Sequence, residues 1–200
     1  MDERYIDGLL NIKTGEEQRG FHKSFHYHRY EPTPYSALES LFNHYELKSS
    51  DRVVDFGCGK GRITFYMNYL FNAEVVGVEM NESFYQEAVE NRIRYLRKYK
   101  NRKDKIHFQC CLAEEYEINP LDNRFYFFNP FTIQIFRTVI NNILVSMENC
   151  KREMELIIYY GSDDYTYFLD NYTSFELKEE IMLSGYDQNV YERFLIYRLE

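Results

Sequence analysis

The chain has 200 residues, 28% of them charged, and a formal net charge of −8. That length can bury a full α/β core without disulfide or metal staples, and the sign of the charge disfavours a broad electrostatic grip on nucleic acid. No run of about 18 apolar residues occurs, so no membrane span is expected; Met1-Asp2-Glu3-Arg4 lacks the apolar region of a signal peptide. Cysteines 58, 110, 111 and 150 show no C-x-x-C or other metal spacing, which reads as free thiols in a reducing, cytoplasmic setting.

Residues 1–30 are polar and broken by Gly8, Gly15 and Gly20, with a short helix around Ile6 to Leu10. His22, His26 and His28 cluster there, and the first two stand at i, i+4. No carboxylate or cysteine companion occupies a ligand offset, so no metal site is expected. Pro32 and Pro34 hold the residues before them extended. Thr33-Pro34 reads as an N-cap and first helical residue, opening a helix over about 34–47 with apolar residues at 35, 38, 41, 42 and 45.

A buried strand over 52–56 follows, then a helix over about 61–71 with Ile63, Tyr66, Met67 and Leu70 inward, and a second strand over 74–79. Asn81-Glu82-Ser83 starts a long helix to about 98, with Phe84, Ala88, Ile93 and Leu96 as its core face. Strand three is 105–109. Strand four, Phe125 to Phe128, is unbroken apolar chain, the mark of a central parallel strand buried on both faces. A helix over about 132–149, a strand over 155–160, a short helix or loop from Asp163 to Tyr172 and a terminal hairpin pair, about 175–183 and 191–199, complete the chain.

Two stretches carry chemistry. Val53 to Arg62 reads strand, glycine turn, helix start, and a second strand closes on Glu79 about twenty residues later. The glycines fall at 57, 59 and 61, and Arg62 stands where a dinucleotide fingerprint has its third glycine. Asp55, just before the turn, suits a cationic ligand group better than a pyrophosphate, and Glu79 can accept hydrogen bonds from both hydroxyls of a ribose. A dinucleotide site and a ligand-free α/β turn are the other readings of this spacing. Asn129-Pro130-Phe131 ends strand four, beside the end of strand one, where open α/β sheets bind ligands. A helix cap is the other reading of Asn129. Arg92 to Lys105 holds eight basic residues and one acid, leaving −15 for the rest of the chain. That run is either a solvated helix face suited to the helix dipole or a patch for RNA or an acidic partner.

On Val53 to Gly61, Glu79 and Asn129 to Phe131 the sequence resembles the class I S-adenosylmethionine-dependent methyltransferases. The resemblance implies a three-layer Rossmann-like fold, a sheet of seven mainly parallel strands with the last antiparallel, in one domain over 1–200 with an N-terminal cover segment over about 1–48. It implies S-adenosyl-L-methionine held by Asp55 and the backbone of Gly57, Cys58, Gly59 and Gly61, its ribose by Glu79. Met80, Leu112 and Ala113 would flank the adenine, although Leu112 stands where many members carry an aspartate. Tyr30 and Thr33 would lie near the methionine end. Asn129, Pro130 and Phe131 are similar to the (Asp/Asn)-Pro-Pro-(Tyr/Phe) motif of amino-group methyltransferases, one proline short. Asn129 would orient the acceptor nitrogen and touch cofactor, and Phe131 would pack on the substrate. The implied activity is methylation of an amine in a small molecule or a protein. A nucleic-acid methyltransferase using residues 92–105 and a non-catalytic S-adenosylmethionine binder are the alternatives.

Overall fold

The computed structural model describes residues 2–15 and 31–200. Strands β1 (Arg52–Phe56), β2 (Glu74–Glu79), β3 (Ile106–Cys110), β4 (Arg124–Phe128), β5 (Met154–Tyr159), β6 (Glu176–Met182) and β7 (Arg193–Leu199) form one sheet in the order β3-β2-β1-β4-β5-β7-β6. β1 to β5 are parallel, and β7 is antiparallel to both β5 and β6. The expected α/β architecture of seven mainly parallel strands with the last reversed is therefore present. β1 lies between β2 and β4, so the chain leaves it in both directions across the sheet and a crevice opens at its carboxyl end.

Helices α1 (Glu3–Leu10), α2 (Tyr35–Phe42), α3 (Arg62–Phe71) and α4 (Glu82–Lys98) cover one face; α5 (Ile133–Asn149) and α6 (Asp163–Tyr172) cover the other. Alternation along each strand sorts the core between them. Val54, Phe56, Phe125, Phe127, Leu156 and Ile158 point to the α5–α6 face. Val53, Tyr126, Ile157 and Tyr159 point to the other, and the same parity carries Asp55 there. Among the described residues no helix is long and apolar enough to cross a membrane.

Four local expectations are corrected. The helix opened by the Pro32-Thr33-Pro34 stretch is shorter than 34–47: it spans Tyr35–Phe42, and Tyr45 and Leu47 are buried from a turn and irregular chain beyond it. Thr33 does not cap it; its hydroxyl bonds the Tyr126 hydroxyl at 2.8 Å, and the Tyr35 N–H donates to Glu3 instead. On α4, Ile93 is 52% exposed, and the inward row is Phe84, Ala88, Asn91 and Tyr95. Asn91 takes the core position because it docks two loops: its carboxamide oxygen accepts from the Lys13 N–H, and its NH2 donates to the Lys13 and Lys60 carbonyls. Leu70 on α3 is likewise exposed.

The first fifteen residues are tied down by polar side chains. Asp7 accepts from the Thr14 N–H and hydroxyl and from the Tyr35 hydroxyl. Arg62 donates to Glu3, to the Thr14 hydroxyl at 2.8 Å and to the Thr33 carbonyl at 3.1 Å, with its guanidinium 4.4 Å from the Tyr35 ring centre. One buried arginine at the start of α3 thus links the chain segments on both sides of residues 16–30 to the glycine turn. His22, His26, His28 and Tyr30 lie outside the described residues.

Candidate functional site

The turn after β1 is built from backbone. Gly57 and Cys58 N–H groups donate to the Val78 carbonyl at the end of β2, and Gly61 N–H donates to the Cys58 carbonyl. Gly57, Gly59 and Gly61 all have positive φ, 77°, 54° and 86°. Gly57 is constrained twice, since a Cβ there would also stand 2.9 Å from Pro130 Cβ. That contact brings the tip of β4 against the tip of β1.

Two carboxylates stand at the turn. Asp55 is 3% exposed and accepts from the Thr64 hydroxyl at 3.1 Å. Burial, with the Glu79 charge adding to it against the Thr64 bond, pushes its pKa up to about 7. Glu79 accepts from the Gly59 N–H at 2.9 Å and the Asn81 N–H at 2.7 Å. Its pKa is raised by burial and held back by N–H donors from Asn81, Gly59 and Met80. Cys58 is buried, and burial plus the neighbouring Asp55 and Glu79 charges raise its thiol well above the ordinary range, so it packs as a small apolar residue and is a poor nucleophile. Met80 and Leu112 are half-buried past the ends of β2 and β3, and Ala113 is buried.

Two cavities meet at the carboxyl ends of β1, β4 and β5. A narrow one of about 30 Å³ is bounded by Thr33, Asp55, Gly57, Cys58, Arg62 and Tyr126. Its larger neighbour, about 310 Å³, is bounded by Glu31, Phe128, Asn129, Tyr159, Tyr160 and Glu192. Glu31 and Phe128 border both. Asn129 has φ 37° and Tyr160 φ 56°, a left-handed conformation that costs non-glycine residues roughly 1–2 kcal/mol. Phe128 pairs with Tyr159 across β4 and β5, so the two strained residues follow directly on paired positions.

Of the sequence-predicted residues, the structure brings Thr33, Asp55, Gly57 and Cys58 around the narrow cavity, Asn129 to the wider one and Pro130 against Gly57. Phe131 is a correction. Its ring is 1% exposed, packed edge-on to Phe127, and its carbonyl accepts from the Tyr165 hydroxyl, so it belongs to the core and does not wall the cavity. Phe128, Tyr159 and Tyr160 do, with Glu31 and Glu192. Sequence reasoning missed these; the one local signal was the aromatic strand end Tyr159-Tyr160 before Gly161.

The basic run is largely engaged within the fold. Arg92 donates to the Lys103 and Ile106 carbonyls, Lys98 to Leu9, Arg102 to Asn68 and Lys105 to Asn72, and Arg94 pairs with Glu90. Asn68 lies in the last turn of α3 and Asn72 caps it, where cations are favoured. Among the described residues no group of three or more His, Cys, Asp and Glu side chains is placed to hold a metal ion.

The residues around the turn fit a ligand with a cationic amine and a diol: a buried carboxylate faces the narrow cavity, glycines let backbone come close, and Glu79 keeps lone pairs beyond its backbone N–H bonds. No curated protein matches the sequence. Among solved structures, an RNA methyltransferase from Salinibacter ruber in complex with S-adenosyl-L-homocysteine is similar at 16% identity and TM-score 0.58, over 84% of this chain and 92% of that one. A candidate RNA methyltransferase from Pyrococcus horikoshii is similar at 16% and 0.58, over 98% and 97%. Geranyl diphosphate C-methyltransferase from Streptomyces coelicolor A3(2) is similar at 11% and 0.53, over 81% and 76%. At these identities the likeness is one of fold. Residues 47–171, from just before β1 through most of α6, match the family described as a methyltransferase domain. The chain therefore belongs to the methyltransferase-domain family, in its class I fold, and S-adenosylmethionine is the methyl donor that membership implies.

Proposed function

We propose that the chain is an S-adenosylmethionine-dependent methyltransferase acting on the nitrogen of an amine, in a small molecule or a protein. The observation that carries this reading is Asn129, strained at the end of β4, bordering the larger cavity next to the one under Asp55. The donor, when bound, supplies a methyl group on a sulfonium, electrophilic enough that positioning of the acceptor does much of the catalysis. Asp55 would hold the amino group of its methionine part, the Gly57 to Gly61 backbone its carboxylate side, and Glu79 its ribose hydroxyls. Met80, Leu112 and Ala113 would flank its adenine. The narrow cavity has room for about one water molecule, so seating the methionine part requires that cavity to widen.

At the acceptor, the Asn129 side-chain oxygen accepts a hydrogen bond from the amine N–H and directs the nitrogen lone pair. The amine reacts as its free base, and the product loses its extra proton to water. The reading fits a cytoplasmic protein with four free thiols. The test is Asn129→Ala, assayed by calorimetry with S-adenosylhomocysteine and by transfer of labelled methyl to a pool of amines. Affinity within twofold of wild type and turnover lower by about a hundredfold are expected. Equal loss of both would remove the positioning role. Tight binding with no transfer by the wild type to any pool would favour a non-catalytic binder.

A second reading, methylation of RNA, draws on the Salinibacter ruber structure and on Arg97, Lys100 and Lys103, which are exposed. Against it stand the two carboxylates, Glu31 and Glu192, at the larger cavity.

A further inference from the structure

The larger cavity has a chemical character that the methyl-transfer reading does not use. Its walls are aromatic: Phe128 and Tyr159 have ring centres 4.6 Å apart, Phe128 and Tyr160 6.4 Å, Tyr159 and Tyr160 6.0 Å. Its charged lining among the described residues is wholly acidic, Glu31 and Glu192. Aromatic faces beside carboxylates, with no lining cation, attract an ammonium group by ring quadrupole and by charge together.

The walls are held in place. Glu192 accepts from the Tyr159 hydroxyl at 2.9 Å, and burial, reinforced by that carboxylate, keeps the Tyr159 phenol protonated as a donor. The Tyr160 hydroxyl accepts from the Asn189 carboxamide, and the Tyr160 N–H donates to the Arg193 carbonyl. The nearest guanidinium in sequence, that of Arg193, is engaged by Glu180 at 2.6 Å. The turn between β6 and β7 thus fixes one carboxylate and two aromatic rings next to Asn129.

We infer that this cavity is an alkylammonium subsite, and that the methyl acceptor is an aliphatic amine carrying a second, positively charged nitrogen. The charged nitrogen sits between Glu31 and Glu192 against the aromatic walls, and the other, uncharged, faces Asn129. A free diamine and a peptide bearing two lysines share this chemistry. The inference rests on the amine-methyltransferase reading for the second nitrogen, but the cation site itself can be tested without turnover.

The experiment is calorimetric titration of the full chain with 1,5-diaminopentane, with 1,5-pentanediol as the uncharged analogue of equal length, and with a short peptide bearing two lysines. Each titration is run with and without S-adenosylhomocysteine. The diamine or the peptide should bind and the diol should not, and whichever of the two binds more tightly identifies the source of the ammonium. Glu192→Gln, close in shape to the native side chain and bordering only the larger cavity, should weaken that binding at least tenfold while leaving S-adenosylhomocysteine affinity unchanged, and Glu31→Gln, at the border of both cavities, should weaken it as well. Binding equal to wild type in both variants, equal binding of diol and diamine, or no cation bound in either condition would overturn the inference. Failure to bind S-adenosylhomocysteine would refute the proposed function instead, and the comparison of diamine with diol would still decide the subsite.

Discussion

Replacing Asp55 by asparagine tests the electrostatic logic of the site. The carboxyl is buried at the tip of β1, and its pKa stands at about 7 against 3.8 for the free group. The folded state therefore holds a proton that the unfolded chain releases above pH 4. The sign follows from linkage. A raised carboxyl pKa contributes stability that is fully present below about pH 4 and is lost as pH rises towards 7, at about 1.4 kcal/mol per pH unit. Asparagine has no such titration. Its oxygen can still accept from Thr64, and its unmatched NH2 costs about 1–3 kcal/mol at every pH. The difference between variant and wild type carries that constant at every pH, so its change with pH isolates the carboxyl. Between pH 5 and pH 8 it should move in favour of Asp55→Asn by about 3 kcal/mol. For a chain of this length that is roughly 6–12 °C in the relative melting temperature. Urea or thermal unfolding of both proteins at pH 5, 6, 7 and 8 provides the measurement. A difference that stays constant within about 1 kcal/mol across that range would show that Asp55 is ionised throughout and would refute the reasoning. The same group should govern the ligand. If the carboxylate receives an ammonium, S-adenosylhomocysteine affinity rises about tenfold from pH 6 to pH 8, and Asp55→Asn both weakens it and flattens the rise.

Two further substitutions probe the frame around that carboxylate. Gly57→Ala forces a left-handed alanine, φ 77°, into a Cβ position 2.9 Å from Pro130. It should cost about 2–4 kcal/mol and lower S-adenosylhomocysteine affinity, read by urea unfolding and calorimetry; a loss under about 0.5 kcal/mol would show the turn to be adaptable. Arg62→Met removes the donor to Glu3, Thr14 and the Thr33 carbonyl and should cost about 2–4 kcal/mol. Limited proteolysis should then cut the first 34 residues faster than wild type, and an unchanged cutting rate would show that other contacts hold the segment.

What was legible in the sequence was local. Val53 to Gly61 announces itself because strand, turn and helix start are contiguous and the chemistry needs glycine at fixed offsets. Asn129 was legible for the same reason, as the polar residue ending an apolar central strand. Phe131 misled because the motif gives its identity and not its direction, and the backbone that places Asn129 at the cavity turns Phe131 towards Phe127 and Tyr165. Of Glu31, Tyr159, Tyr160 and Glu192, only the aromatic strand end Tyr159-Tyr160 left a local signal. The four come from three separate stretches of chain: the placing of β7 beside β5, with its incoming turn over the β5 tip, brings Glu192 to Tyr159 and Tyr160, and the segment before α2 brings Glu31. Asn91 shows the same limit within a helix: periodicity favours apolar Ile93 inward, but a carboxamide that satisfies three backbone groups wins the core position.

Under the proposed function, the two basic residues of the glycine turn bear on why it would take a cation where many similar turns take a phosphate. A phosphate site aims helix N-terminal N–H groups and free cationic side chains at the ligand. Here Arg62 turns to Glu3, Thr14 and Thr33, and Lys60 pairs with Glu87 at 2.9 Å on the far side of the turn. Asp55 faces the narrow cavity, and its hydrogen-bond donor is the neutral Thr64 hydroxyl. A pyrophosphate there would meet a carboxylate in a low-dielectric pocket, whereas an ammonium or a sulfonium would supply the charge that the buried acid lacks. The arginine that fixes the N-terminal segment borders the narrow cavity but has its guanidinium committed to Glu3, Thr14 and Thr33, so under the proposed function the specificity of the turn depends on where that side chain is anchored.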